Sequence, residues 1–234
     1  MNLPISNRLR VCCGFVAPGE RVADIGCDHG YLSIYLLKNN IARSVIASDI
    51  NEQPLQSAMI NAEKYGVRDK ISFYLSDGVR NIPRDFDTLV CAGMGADTMI
   101  SILEAAPWLC KSSYRLILQC QSKTPMLRKY LSDNGWRITE ETVLRDGRFL
   151  YTVMEVVFQP DYPRLTIGEQ YFPPALLENP AVELPEYYAR ITGGLRLAVQ
   201  GKGAENVPEQ ARALAELEQL IEQPELSFIK EALK

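Results

Sequence analysis

From Glu20 to about Phe158 the sequence alternates short apolar runs with amphipathic stretches, a pattern few folds can absorb. The runs are Arg21–Ile25, Ser44–Ala47, Ile71–Tyr74, Thr88–Ala92 and Arg115–Leu118. They are short and mostly apolar, as strands buried on both faces of a parallel sheet must be. Between them, Tyr31–Asn39, Gln53–Tyr65, Ala96–Ala105 and Thr124–Asn134 carry helical spacing. Gly66 and Gly135 stand where left-handed helix caps are expected. Two alternating runs, Trp136–Val143 and Phe149–Phe158, flank a turn at Arg145-Asp146-Gly147-Arg148 and predict a hairpin. The expected fold is α/β: a Rossmann-like doubly wound sheet with an antiparallel terminal hairpin over residues 1–160.

Residues 161–234 read differently. Six of the fourteen prolines fall between Pro160 and Pro185, marking a stiff connection. Two helical stripes follow, Leu184/Tyr188/Ile191/Leu195/Ala198 and Val207/Ala211/Leu214/Leu217/Ile221. The short link Gly201–Asn206 between them favours an antiparallel helical hairpin. Gly193 and Gly194 weaken the first of these helices, so it needs packing to persist.

The chemistry concentrates at strand ends. Asp24-Ile25-Gly26-Cys27-Asp28-His29-Gly30-Tyr31 closes the first strand and opens a helix. Glycines 26 and 30 permit close backbone approach to a ligand. The spacing is D-x-G-x-x-x-G rather than a dinucleotide G-x-G-x-x-G, and Asp24, Asp28 and Asp49 surround it. Carboxylates repel pyrophosphate and suit a cationic cofactor such as S-adenosyl-L-methionine; the alternative is a purely structural strand–turn–helix junction. Asp49, ending the second strand and followed by Ile50, is placed to accept ribose hydroxyls. Asp77-Gly78 after the third strand can take an adenine amine or simply form a turn. Gly93-Met94-Gly95 ends the fourth strand, where ligands of open sheets bind.

These motifs resemble a family. Asp24–Leu32, Ala92–Gly95, Leu116–Gln119 and the Leu127-Arg128 to Gly135-Trp136 run are similar to those of the bacterial tRNA adenine-22 N1-methyltransferases, the TrmK group. The likeness runs from about Ser6 to Phe158; Cys27, Gly30, Ala96 and Cys120 depart from the usual residues, and the C-terminal part matches poorly. The resemblance implies methyl transfer to N1 of a tRNA adenine. Asp28 is then the candidate to stabilise the cationic product or orient the cofactor, His29 to contact the cofactor or accept a proton. Tyr31 can bound the target base or pack in the core, and Gln119 can bond the adenine edge or serve the fold. Other readings are methylation of another RNA position or a small molecule, or a cofactor-binding module without turnover.

Net charge is −4, which by itself disfavours nucleic acid. Its distribution removes the objection: residues 1–160 hold 18 basic and 17 acidic side chains, residues 161–234 hold 7 and 12. Arg8, Arg10, Lys123, Arg128 and Lys129 are the expected RNA contacts. Six cysteines without C-x-x-C spacing and one histidine make a zinc site improbable, so no metal is expected. Reduced thiols, no apolar leader and no long apolar run predict a cytoplasmic chain without a membrane span. The expected partner is tRNA rather than DNA, with the protein a monomer or weak homodimer.

Overall fold

The computed structural model describes residues 3–111, 113–201 and 207–233. A seven-stranded sheet has the order β3-β2-β1-β4-β5-β7-β6. β1 (Glu20–Ile25), β2 (Ala42–Asp49), β3 (Ile71–Leu75), β4 (Thr88–Met94) and β5 (Arg115–Cys120) are parallel. β7 (Phe149–Phe158) runs antiparallel between β5 and β6 (Trp136–Asp146). The doubly wound sheet with its reversed edge is therefore as expected, and most boundaries move by only one or two residues. β6 extends past the expected Val143 to pair Asp146 with Phe149, leaving a two-residue turn. Gly147 takes φ +59° there, a left-handed conformation open to glycine without strain.

Helices α2 (Tyr31–Lys38), α3 (Glu52–Lys64), α4 (Ala96–Glu104) and α5 (Thr124–Asp133) cover the sheet. Successive residues of β5 enter opposite cores: Leu116 and Leu118 pack with Ile25, Leu89 and Met99, while Ile117 packs with Val22, Ile34 and Val45. Burial on both faces explains why the strands read as continuous apolar runs. α1 (Asn7–Gly14), which the periodicity did not reveal, buries Cys12 and Cys13 in the second core. These thiols act there as small apolar groups. All six cysteines are unpaired; burial pushes the Cys12 and Cys91 thiols up to about 12.

The C-terminal region forms a third core against the hairpin. Val143 and Leu150 of the sheet meet Phe172, Leu184, Tyr188, Leu195 and Leu217. α6 (Ile167–Tyr171) starts in a capping box, Thr166 with Glu169, and α7 (Ala175–Glu178) follows. α8 (Leu184–Gln200) continues through Gly193 and Gly194, which cost roughly 1 kcal/mol each against Ala. It packs on α9 (Val207–Leu220): the Tyr188 hydroxyl donates to the Leu217 carbonyl at 2.8 Å, and Arg196 pairs with Glu218 at 2.8 Å. The buried stripe of α9 centres on Ala213 and Leu217 rather than Ala211. α10 (Ser227–Ala232) completes the region by burying Ile229. Residues 202–206 of the expected Gly201–Asn206 link lie outside the described residues.

One buried cation ties the region to the sheet and corrects an expectation. Arg128 of α5 has no exposed surface, so it is not an RNA contact. Its Nε and one terminal nitrogen donate to Glu141 at 3.1 and 2.6 Å. The same terminal nitrogen reaches the Tyr187 hydroxyl at 3.1 Å, and the other donates to the carbonyls of Gln170 and Tyr171. A guanidinium can lose its water only when its donors are so engaged. Glu141 beside it keeps it charged despite burial.

Candidate functional site

The strand order reverses between β1 and β4, and a crevice opens at their carboxyl ends. The loop after β1 carries three left-handed residues in five: Gly26 at φ +72°, Asp28 at +49° and Gly30 at +72°. Most of its amides are already engaged. Gly26 and Cys27 donate to the Ser48 carbonyl at 2.8 and 2.9 Å. The Asp28 amide donates to Asp49 Oδ2 at 3.1 Å, and Asp49 Oδ1 accepts from Asn51 at 3.0 Å. A phosphate cradle needs free amides pointing at the ligand. This loop instead commits three of them to β2 and presents acids.

A cavity of about 560 Å³ occupies the crevice. Of the expected cofactor residues, Gly26, Asp49, Ile50, Asp77, Gly78, Gly93 and Met94 line it. A methyl group built on Gly26 would meet only the end of the flexible Met94 side chain, so it is the φ of +72° that favours glycine here. The Met94 sulfur lies 3.3 Å from Cys91 Sγ, which holds the side chain beside the loop. Ser76 shapes the turn at Gly78, donating to its carbonyl and accepting from the Asn81 amide. Asp77 pairs with Arg80 at 3.3 Å at the exposed rim.

The other expected cofactor residues stand outside the lining. Asp28 and His29 project from the loop, 3.7 Å apart between Oδ1 and Nε2, with their side chains largely exposed. Gly30 caps α2 and Gly95 precedes α4. Asp24 lies behind the loop, accepting from Ser33 Oγ at 2.6 Å. Burial lifts its carboxyl from 3.8 to about 6, and the Ser33 hydrogen bond offsets part of the rise. The folded chain thus favours protonated Asp24. That contribution to stability is complete below about pH 4 and is lost as pH rises through about 6. Asp24→Asn is expected to stabilise the protein relative to wild type at pH 8 but not at pH 4, by on the order of 2 kcal/mol in urea melts. A difference that does not change with pH would overturn this.

One expected catalytic side chain is placed elsewhere. Gln119 has no exposed surface and its amide donates to the Cys120 carbonyl at 3.2 Å. It therefore belongs to the strand-end packing and is not open to a base. Tyr31 is half-buried against the second core, its ring 5.8 Å from that of His29. Sequence reasoning missed Asp97, Thr98, Ser101 and Ile102, which line the cavity from α4. The only available signal was an acid and a threonine in the first turn after Gly-Met-Gly.

The expected RNA contacts do not form an open row of cations. Arg8 lies 3.6 Å from Asp146 and above the Tyr151 ring. Lys129 pairs with Asp133 at 2.6 Å and Lys123 with Asp97 at 2.8 Å. Arg10 is exposed. Among the described residues, no group of His, Cys, Asp and Glu could hold a metal and no helix is long and apolar enough to cross a membrane.

Known proteins share this fold. The tRNA (adenine(22)-N(1))-methyltransferase of Bacillus subtilis is 33% identical over 153 residues, 65% of this chain and 64% of the relative. The chain thus spans less than two thirds of the length of the curated relatives it matches. A crystal structure of Streptococcus pneumoniae Sp1610 in complex with S-adenosyl-L-methionine superposes with TM-score 0.80 at 27% identity, covering 93% of this chain and 99% of that one. That of the B. subtilis M1A22 tRNA methyltransferase TrmK gives 0.76 at 25% identity, covering all of both chains. A family model described as a methyltransferase domain matches residues 5–154, nearly the whole sheet. The chain belongs to the methyltransferase domain family.

Proposed function

We propose that the chain is an S-adenosylmethionine-dependent methyltransferase acting on N1 of an adenine in tRNA, with residues 1–160 as its catalytic body. The observation that carries the reading is the acid-lined cavity beside a loop whose amides are mostly already bonded, which suits a cationic nucleoside. The B. subtilis tRNA methyltransferase, similar over 153 residues, supports the choice of substrate.

Asp49 accepts the ribose hydroxyls and keeps the loop in register through its bonds to Asp28 and Asn51. Ile50, 62% exposed beside the cavity, offers an apolar face to adenine, and Asp77 accepts from its amine. Gly26, Gly78 and Gly93 let backbone and ligand approach closely, with Met94 against the loop. Asp28 supplies negative charge around a positively charged ligand, Asp24 braces the loop from behind through Ser33, and His29 with Gly30 fixes the loop's far end. When bound, S-adenosylmethionine supplies an electrophilic methyl group on its sulfonium.

Adenine N1 carries an in-plane lone pair. The new N–C bond forms as the C–S bond breaks, and no proton has to be removed first. The chain's task is therefore alignment, which alone can lower the barrier substantially. The base becomes cationic, and the exposed carboxylate of Asp28 stabilises that growing charge. Because N1 lies on the pairing edge, a paired target must leave its helix to react. The cytosol, which holds tRNA and keeps thiols reduced, suits this reading.

Incubating unmodified tRNA with the protein and methyl-labelled S-adenosylmethionine, then analysing nucleosides by mass spectrometry, tests the proposal. Labelled N1-methyladenosine is expected. Label in a different nucleoside would move the target, and no label in any tRNA despite measurable cofactor binding would end the reading.

A further inference from the structure

A second cavity, of about 350 Å³, lies between the Gln121–Pro125 loop, β7 and α8. Gly194, mid-helix in α8, lines it. Glycine is among the poorest helix formers. Yet a Cβ built on Gly193 or Gly194 would meet nothing within 4 Å, so packing within the chain does not demand glycine at either position.

The lining names the kind of occupant. Thr152, 2% exposed, and Gln210 both line the cavity, and Thr152 Oγ1 and Gln210 Oε1 are buried with no hydrogen-bond partner among the described residues. Buried polar atoms are ordinarily satisfied, so these two await donors or acceptors from a ligand or solvent. Lys123 and Arg190 bring positive charge, and among the described residues no carboxylate lines the cavity. That is unusual in a chain of net charge −4. Arg190 donates to the Leu150 carbonyl at 3.2 Å and has no carboxylate partner among the described residues.

The two cavities are neighbours. Lys123 of the second pairs with Asp97 of the first at 2.8 Å, and the Gln121 amide donates to the Met94 carbonyl at 2.8 Å.

We propose that the second cavity seats a nucleotide of the RNA substrate next to the one that is methylated. The inference rests on the tRNA reading above and adds a specific contact to it. Gln210 and Thr152 bond the edge of its base or its ribose hydroxyls. Lys123 and Arg190 face the phosphates, and Gly194 lets the sugar lie against the helix. A flanking nucleotide held here also offsets the cost of drawing the target out of its pair.

The test compares wild type, Gly194→Leu and Thr152→Val in methyl transfer to tRNA, with cofactor titration and thermal melts on each. Gly194→Leu is expected to raise KM for tRNA about tenfold or more, equivalent to about 1.4 kcal/mol of lost binding. Cofactor affinity and kcat at saturating tRNA should stay near wild type, and Tm should hold or rise because a helix glycine is gone. Thr152→Val, nearly isosteric, should raise the same KM severalfold. KM within twofold of wild type for both variants overturns the site, and Thr152→Val alone decides if Gly194→Leu melts early. Wild type that labels no tRNA ends the tRNA reading and this site with it. Wild type that labels tRNA, with both variants unchanged, ends the site alone.

Discussion

Replacing Asp49 with Ala is expected to weaken S-adenosylmethionine binding about 30- to 100-fold by isothermal titration. Hydrogen bonds to a charged group contribute about 1.5–3 kcal/mol, and each 1.4 kcal/mol is a tenfold change in affinity. Asp49 also holds the Asp28 and Asn51 amides, so the substitution loosens the loop that frames the cavity. Asp49→Asn retains one carbonyl oxygen and should fall between wild type and Ala. Unchanged affinity in Asp49→Ala, with the melt intact, would refute the ribose role outright.

Arg128→Met should lower stability by about 3–5 kcal/mol, because Glu141 is left as an uncompensated buried charge. For a chain of this size the loss corresponds to a drop in Tm of roughly 6–20 °C. The carbonyls of Gln170 and Tyr171 and the hydroxyl of Tyr187 lose a donor in the same step. Arg128→Met with Glu141→Met removes both charges and should recover most of the loss, as apolar replacements of buried pairs often do. Weaker tRNA binding by Arg128→Met at unchanged Tm would instead return Arg128 to the RNA surface.

The parallel strands were legible because burial on both faces removes polar alternation, and Gly66 and Gly135 marked their helix ends, at φ +70° and +78°. α1 was not: eight residues containing two arginines and two cysteines carry little helical period. The Thr166/Glu169 capping box was present in the sequence but stood among prolines. At the site, glycines and acids at strand ends could be read because sheet topology gathers those ends at one crevice. Asp97, Thr98 and Ser101 could not, since only the docking of α4 turns that face inward. Gln119 was placed at the correct strand end, but no sequence pattern tells which face its side chain takes. Arg128 failed for a related reason. It adjoins Leu127 on α5, and only a partner thirteen residues away on β6 decides that it is interior.

The Arg128 network also bears on how such a chain can diversify. An appendage joined by a flexible tether can be exchanged or lost while its host keeps working. Here the seam is shared interior: the host contributes the guanidinium and the carboxylate, and the appendage contributes two carbonyls and a phenol. A different tail would have to bring equivalent acceptors to the same spot, or arrive together with changes at both Arg128 and Glu141. Changes on either side of this seam are therefore coupled at these positions, even where the tail's surface is free to drift.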